Sequence, residues 1–222
     1  MLTLHHLENS QSIRILWLLE ELGIEYAFKM YDRDPATRLA PSEYKEISPL
    51  GTAPAITDGN VTLSESNAII DYIIETYGDG KLRPKTGTPE RTDYLFWFHM
   101  AQGSLQPLLT NRYVFSMMSS RAPFFIKPIV ASIGKKLNEN FIAPRLERIL
   151  VQMEAQLAKT KWFAGDELTA ADITMGYCVE VMAVRVGLGD RYPHTQQYLE
   201  QMRARPAYQA ALQKDGKFKP LA

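Results

Sequence analysis

The first 31 residues leave the chain little freedom. "MLTLHHL" is an apolar run of strand type, "SIRILWLLEELG" has the spacing of a helix that stops at Gly23, and "EYAFKMY" is a second strand-type run. Two strands joined through a helix form a βαβ unit, so these strands are expected to be parallel. A short polar helix follows from about Pro41 to Ile47. In "APAITDGNVTL", Asp58-Gly59 between two alternating runs signals a hairpin. "SNAIIDYIIETYG" places Ile69, Ile70, Ile73 and Ile74 on one helical stripe. The predicted order is β-α-β-α-β-β-α.

The character changes near residue 80. "GDGKLRPKTGTPE" has linker composition, and its "GDGK" lacks the glycine spacing and following helix of a phosphate loop. From Pro89 onward no strand is evident. "TPERTDYLFWFHMAQGSLQPLLTNRYVFSMM" reads as one long helix kinked at Pro107, and "PRLERILVQMEAQLAKT" is amphipathic. "ELTAADITMGYCVEVMAVRVG" opens with Thr169 three residues before Asp172, the spacing of a capping box. "YPHTQQYLEQMRARPAYQAALQK" gives two short helices broken at Pro206. The fold class is α/β plus all-α, divided as residues 1–79, a linker over 80–88, and a helical domain over 89–222.

A chain of 222 residues, 45% hydrophobic, can build cores of this kind. Lys+Arg and Asp+Glu number 25 each, so no global field draws it to nucleic acid or to an acidic membrane. Neither a nucleic-acid partner nor stable membrane association is expected. One cysteine, Cys178, excludes an internal disulfide and a CxxC pair, and it favours a reducing compartment. The start of the chain lacks the basic and apolar regions of a signal peptide, and no run is long enough to span a bilayer. A cytoplasmic protein is expected. His5 and His6 have no partner at metal-binding spacing, and His99 and His194 are distant in sequence, so no metal is expected.

Two local features ask for a ligand. Pro54 opens a strand within "GTAPAI", where a cis peptide would turn the backbone of Ala53 toward an extended peptide. "SES", residues 64–66, opens the next helix, whose free N–H groups suit a carboxylate. The plain alternative is that Ser64 or Ser66 caps that helix.

The ordered set "NSQSIRILWLLEELGIEY", "SPLGTAPAI", "SESNAIIDYI", "AQGSLQPLL" and "WFAGDELTAADI" resembles the glutathione transferases over nearly the whole chain, most closely the serine-type members of fungi and bacteria. The resemblance implies an N-terminal thioredoxin-like domain, a C-terminal helical bundle, and glutathione as co-substrate. Ala53 and Pro54 would meet the cysteinyl backbone, Glu65 and Ser66 the γ-glutamyl end, and Thr52 the glycine carboxylate, where many relatives carry Lys or Gln. Gln102 stands where similar sequences place an acid that pairs with the γ-glutamyl ammonium across a dimer.

The thiol must ionise to attack, and one hydroxyl at a helix N-terminus supplies enough stabilisation. The family's serine lies four residues before an arginine, which selects Ser10 ahead of Arg14. Asn9 is a helper; Ser12 reads better as a cap, and a backbone amide is the remaining candidate. Tyrosine-type members carry their phenol near "HHL", where this chain has none, and Cys178, inside a late helix, does not suit cysteine-type chemistry.

The second substrate, by family position, is a small hydrophobic electrophile between the domains, lined by Tyr113, Phe115, Met117 and Met118. "RAPFFIKPIVASIGKK" reads as a lid or core helix in preference to a membrane-surface patch. The resemblance also implies a homodimer, with the stripe of Tyr94, Trp97, Phe98 and Ala101 serving either the partner or this chain's own core. The expected activity is conjugation. A glutathione-dependent peroxidase or isomerase, or a ligand carrier without catalysis, are the alternatives.

Overall fold

The expected crossover is present. In the computed structural model of the chain, which describes residues 1–216 and 218, β1 (Thr3–Leu7) leads through α1 (Ile13–Leu22) to β2 (Ala27–Tyr31), and the two strands are parallel. The helix α2 (Ser42–Ile47), strands β3 (Ala55–Asp58) and β4 (Val61–Ser64) and helix α3 (Ser66–Thr76) complete this half. The sheet order is β2-β1-β3-β4, with β3 antiparallel to both neighbours. Asp58 is still a strand residue, so the hairpin loop is Gly59–Asn60 and sits one residue later than the sequence signal suggests. Ile15, Leu16 and Leu19 of α1 and the four isoleucines of α3 are buried in one continuous core.

The rest is helical: α4 (Pro89–Met100), α5 (Gln106–Arg121), α6 (Lys127–Leu137), α7 (Ala143–Leu157), α8 (Ala170–Arg185), α9 (Pro193–Arg203) and α10 (Pro206–Asp215). The expected kink at Pro107 is a π-helical segment over 101–105 between α4 and α5. A second π segment over 138–142 joins α6 to α7, immediately before Pro144. The cause is common to both. Proline lacks the N–H and its ring crowds the carbonyl four residues back, so the helix widens there instead of closing a normal turn.

α8 forms the centre of the helical half and begins with the expected capping box between Thr169 and Asp172. Gly176 lets α8 meet both α1 and α9: a Cβ there would lie 2.4 Å from the Met202 sulfur and 3.0 Å from the Trp17 ring. α10 returns to the N-terminal half, with Tyr208 edge-on to Trp17 at 5.0 Å. Its last residue, Asp215, accepts from or pairs with His6 of β1 at 2.7 Å, both side chains fully buried.

Two sequence expectations resolve differently. Tyr94, Trp97, Phe98 and Ala101 are buried in this chain's own core and leave Leu95 and Phe96 as the exposed apolar residues of α4. The segment 121–136 is not a core helix. Its apolar residues, Phe124, Phe125, Ile126 and Ile129, are exposed, and the main helix packed on α6 is α5. The two helices touch closely at Gly134, where a Cβ would come within 3.2 Å of the Phe115 carbonyl.

Candidate active site

Strand register explains why one end of the sheet becomes a site. Leu7 pairs with Tyr31, so two residues further along parallel strands Asn9 stands beside Arg33. His5 pairs with Ala55 in the antiparallel sense, which brings Leu7 level with Ala53. Ala55 pairs with Ser64, which sets Glu65 and Ser66 alongside Pro54 and Ala53. The loops at this end enclose a cavity of about 290 Å³ walled by Leu7, Asn9, Ser10, Gln11, Arg33, Gly51, Thr52, Ala53 and Tyr177.

Ser10 is one of three hydroxyl residues that line the cavity, with Thr52 and Tyr177, and the one at the start of α1. It is buried, donates to the Leu7 carbonyl at 2.7 Å, and lies 2.6 Å from the Ser12 hydroxyl. Ser12 also reaches the Leu7 carbonyl, at 3.3 Å. Ser12 occupies the N-cap position of α1, but its side chain makes no cap hydrogen bond; it is spent on Ser10 and Leu7. Ser10 gives its one proton to the Leu7 carbonyl, so to serve a ligand anion at the start of α1, where the helix dipole favours negative charge, it must turn from Leu7 to the ligand and leave that carbonyl to Ser12. Asn9 adopts φ 47°, an unusual left-handed conformation that turns the chain into this loop.

Arg33, which sequence reasoning missed, holds this loop from the β2 side. Its Nε donates to the Glu8 carbonyl at 3.0 Å and its Nη2 to the Asn9 carbonyl at 3.4 Å. Within "YDRDPATR" it reads as one charge of a solvated loop, and only the register reveals its place. Tyr177 was missed for the opposite reason: in "ITMGYCVEVM" it is one more large residue of a helix buried almost all round. Burial pushes its phenol up, against the pull of Arg14, Arg185 and Arg33, so it remains a neutral donor. It is the cavity's contribution from the helical half.

Arg14 ties the halves together behind the wall. Its guanidinium lies 4.6 Å from the Tyr177 ring centroid, donates to the Gln11 side chain, and donates to Cys178 Sγ at 3.1 Å. Cys178 in turn points to the Ala101 carbonyl at 3.7 Å, inside the first π segment. Burial raises the Cys178 thiol, so the cysteine is a poor nucleophile, in line with the sequence reading.

Of the residues expected to meet glutathione, Thr52 and Ala53 line the cavity, and the Ala53–Pro54 peptide is cis. The Thr52 carbonyl accepts from Ser48 at 3.0 Å and from Tyr44 at 3.3 Å, which fixes the approach to Ala53. Neither Ser64 nor Ser66 caps α3. The cap position is Glu65, without a side-chain cap bond, while Ser64 contacts Ser48 at 3.3 Å and buried Ser66 is the first helical residue. Glu65 is exposed and has φ 76°, a conformation that costs a non-glycine residue about 1–3 kcal/mol and recurs where backbone must face a ligand. Glu65 and Ser66 are outside the cavity wall and flank it. Asn67 donates to the Phe98 carbonyl at 2.9 Å, so half-buried Gln102 lies one turn beyond the point where α3 docks on α4.

The four residues expected at the electrophile site do not share a face. Tyr113 lies under Arg185 at 4.4 Å, and Arg185 interacts with Tyr177; Met117 follows Tyr113 by four residues on the same side of α5. Phe115 instead lines a separate crevice against α6, and Met118 is exposed. His5 bonds Tyr31 at 2.9 Å and Thr57 at 3.0 Å, a structural role within the sheet. Among the described residues no His, Cys, Asp and Glu group suited to a metal ion is found.

Comparison with known proteins gives a consistent set. The glutathione S-transferase N-terminal domain matches residues 1–75 and the glutathione S-transferase C-terminal domain residues 125–215. Glutathione S-transferase 3 of Schizosaccharomyces pombe is 32% identical over 216 residues, covering 96% of this chain and 88% of its own. A crystal structure of a glutathione S-transferase from Actinobacillus pleuropneumoniae is 29% identical, covers 98% of this chain and 94% of its own, and superposes with a TM-score of 0.77. A glutathione transferase from Phanerochaete chrysosporium, solved with oxidized glutathione, shares the fold at 20% identity and a TM-score of 0.75, covering 97% and 95%.

Proposed function

Because this chain belongs to the glutathione S-transferase family, we propose that it ionises the glutathione thiol at Ser10 and joins the thiolate to a small hydrophobic electrophile. Glutathione transferase activity is what its relatives' names and its two matched domains support. The observation that carries the finer reading is the single cavity that gathers Asn9, Ser10, Thr52 and Ala53 from the thioredoxin-like half and Tyr177 from the helical half.

A free thiol of pKa about 8.5 is only a few per cent ionised at neutral pH. Ser10 donates to the anion, with Ser12 behind it and the α1 N-terminus adding favourable potential. Ala53 meets the peptide backbone of glutathione, Thr52 its glycine end, and Glu65 and Ser66 its γ-glutamyl end, with Gln102 as a contact near the α3 docking point. Tyr177 presents a neutral phenol toward the electrophile, and Tyr113 with Met117 extends that side behind Arg185. Residues 1–79 form the glutathione-binding domain, 80–88 the linker and 89–222 the electrophile-binding domain.

The same reading includes a homodimer, supported by the exposed Leu95 and Phe96 on α4 and by the adjacent cavity of about 320 Å³ that includes Phe96, Met100, Leu108 and Ile149. A cytoplasmic location fits the lone, buried, unpaired Cys178. Among the described residues no helix is long and apolar enough to cross a membrane.

Retention on immobilised glutathione, followed by turnover of a chromogenic aryl electrophile, tests the function. Retention with turnover is the expected result. Retention without turnover would make the protein a carrier, and failure to bind glutathione would remove the reading altogether.

A further inference from the structure

The hairpin of α5 and α6 carries a surface that the conjugation site does not use. Phe124 is 87% exposed, Phe125 69%, Ile129 61% and Ile133 50%, and Ile126 and Leu137 continue the same run. Positions 126, 129, 133 and 137 follow helical spacing, so they form one outward stripe along α6, while Phe124 and Phe125 stand at the tip where α5 turns into α6. The adjoining side of α6, at Val130, Gly134 and Asn138, is what meets α5.

Charge around the stripe has one sign. Between Asp93 and Glu139 the chain holds no acidic residue, yet it carries Arg112, Arg121, Lys127, Lys135 and Lys136. The whole chain is neutral, so this hairpin is a basic projection on an otherwise acidic body. Arg121, Lys127, Lys135 and Lys136 are all exposed; Arg121 and Lys127 bracket the tip and Lys136 lies beside the stripe, while Lys135, two residues from both Ile133 and Leu137, is on the far side of α6. Lys135 reaches Glu139 at 3.8 Å, an exposed pair that leaves the basic character intact.

An apolar stripe edged by lysines on an otherwise solvent-facing helix has the chemistry of an interfacial helix, with rings entering the acyl boundary and ammonium groups at anionic headgroups. The most exposed rings, Phe124 and Phe125, stand at the tip of the hairpin, a placement that suits insertion into a deformable bilayer. A second copy docked on the same stripe by a two-fold axis would bring like charges together at Lys127 and Lys136. We propose that the α5–α6 tip docks this protein reversibly on anionic lipid bilayers. This goes beyond the conjugation reaction and does not depend on it, and it revises the expectation from composition, which averaged the basic hairpin with the acidic remainder.

The test is flotation of the full chain with phosphatidylcholine vesicles and with vesicles containing phosphatidylglycerol, at low and high salt. The expected result is partition to the phosphatidylglycerol vesicles only, weakened by salt. Phe124→Ser/Phe125→Ser and Lys127→Glu/Lys136→Glu should each reduce it roughly tenfold or more. Because the substituted side chains are exposed, both variants should keep the parent's thermal midpoint and conjugation rate. Absence of partition by the parent at low salt would overturn the proposal. So would a fall in molar mass by light scattering in the Phe124→Ser/Phe125→Ser variant with vesicle binding unchanged, which would make the stripe an interface between copies. A raised electrophile KM in that variant with vesicle binding unchanged would overturn it in favour of a lid.

Discussion

Replacing Ser10 by alanine is the sharpest probe of the site, because the structure separates its chemical from its structural duty. The hydroxyl donates to the Leu7 carbonyl at 2.7 Å, but Ser12 already lies 3.3 Å from the same oxygen and can satisfy it alone. The loop should therefore survive the change. What is lost is one hydrogen bond to an anion, worth about 1.5–3 kcal/mol, or about one to two pKa units at about 1.36 kcal/mol each. If the bound thiol ionises about two units below its free value of about 8.5, the thiolate fraction at pH 7 falls about 4- to 40-fold. The kcat/KM profile for an aryl electrophile should shift to higher pH by the same one to two units, and the two enzymes should converge above the shifted value. Ultraviolet absorbance of bound thiolate should titrate in parallel, while the Kd for glutathione changes by less than the rate. Ser12→Ala should shift the profile in the same direction and by less, since it acts through Ser10. Unshifted rate and absorbance profiles in the Ser10→Ala variant would refute the assignment and move the role to Asn9 or a backbone amide.

Glu65→Ala and Ser66→Ala should raise the glutathione KM roughly tenfold or more each while leaving kcat near the parent value, since they hold a remote end of the substrate; unchanged KM in both would remove them from the site. Gly176→Ala should lower the urea-unfolding free energy by about 1–3 kcal/mol, because the added methyl would lie 2.4 Å from the Met202 sulfur and 3.0 Å from the Trp17 ring, both buried in the core; an unchanged midpoint would mean that the helices part easily. Asp172 accepts from the Phe163 and Thr169 amides at 2.9 Å and the Thr169 hydroxyl at 3.0 Å, so Asp172→Asn should cost about 2–4 kcal/mol by denaturant titration at pH 7. Burial pushes the Asp172 carboxyl up to about 6 from an ordinary 3.8, so the folded state holds its proton more tightly than the unfolded state. That contribution is complete below about 3.8 and lost as the pH rises through about 6, so the gap between parent and Asp172→Asn should widen as the pH falls from 6 to 4. A narrowing gap would reverse the sign.

The elements written by local chemistry were legible before the fold was seen. The parallel β1 and β2 followed from two apolar runs around a glycine-stopped helix, and the start of α8 from Thr169 and Asp172. The position of Pro54 in "GTAPAI" pointed to the bend that the structure shows beside Ala53. What remained hidden depends on distant pairing. Arg33 matters only because Leu7 and Tyr31 are in register, and Tyr177 only because α8 presents that one turn to the sheet edge. The stripe at 94, 97, 98 and 101 had the right spacing for a partner or a core, and periodicity alone does not say which neighbour comes first. The same limit applied to Phe124 and Phe125, whose apolarity suggested cover that α5 does not provide.

The buried contact between His6 and Asp215 joins residues near the two ends of the described chain. Together with Tyr208 on Trp17, Arg205 on Glu21 and Lys214 on Glu20, it makes the last helix a clasp on the first strand and first helix. A ribosome releasing the N-terminal half has therefore not yet supplied what closes that half's outer face. The sheet matures only after some two hundred residues have emerged, and a gene cut at the linker would yield two fragments that must find each other before either is finished.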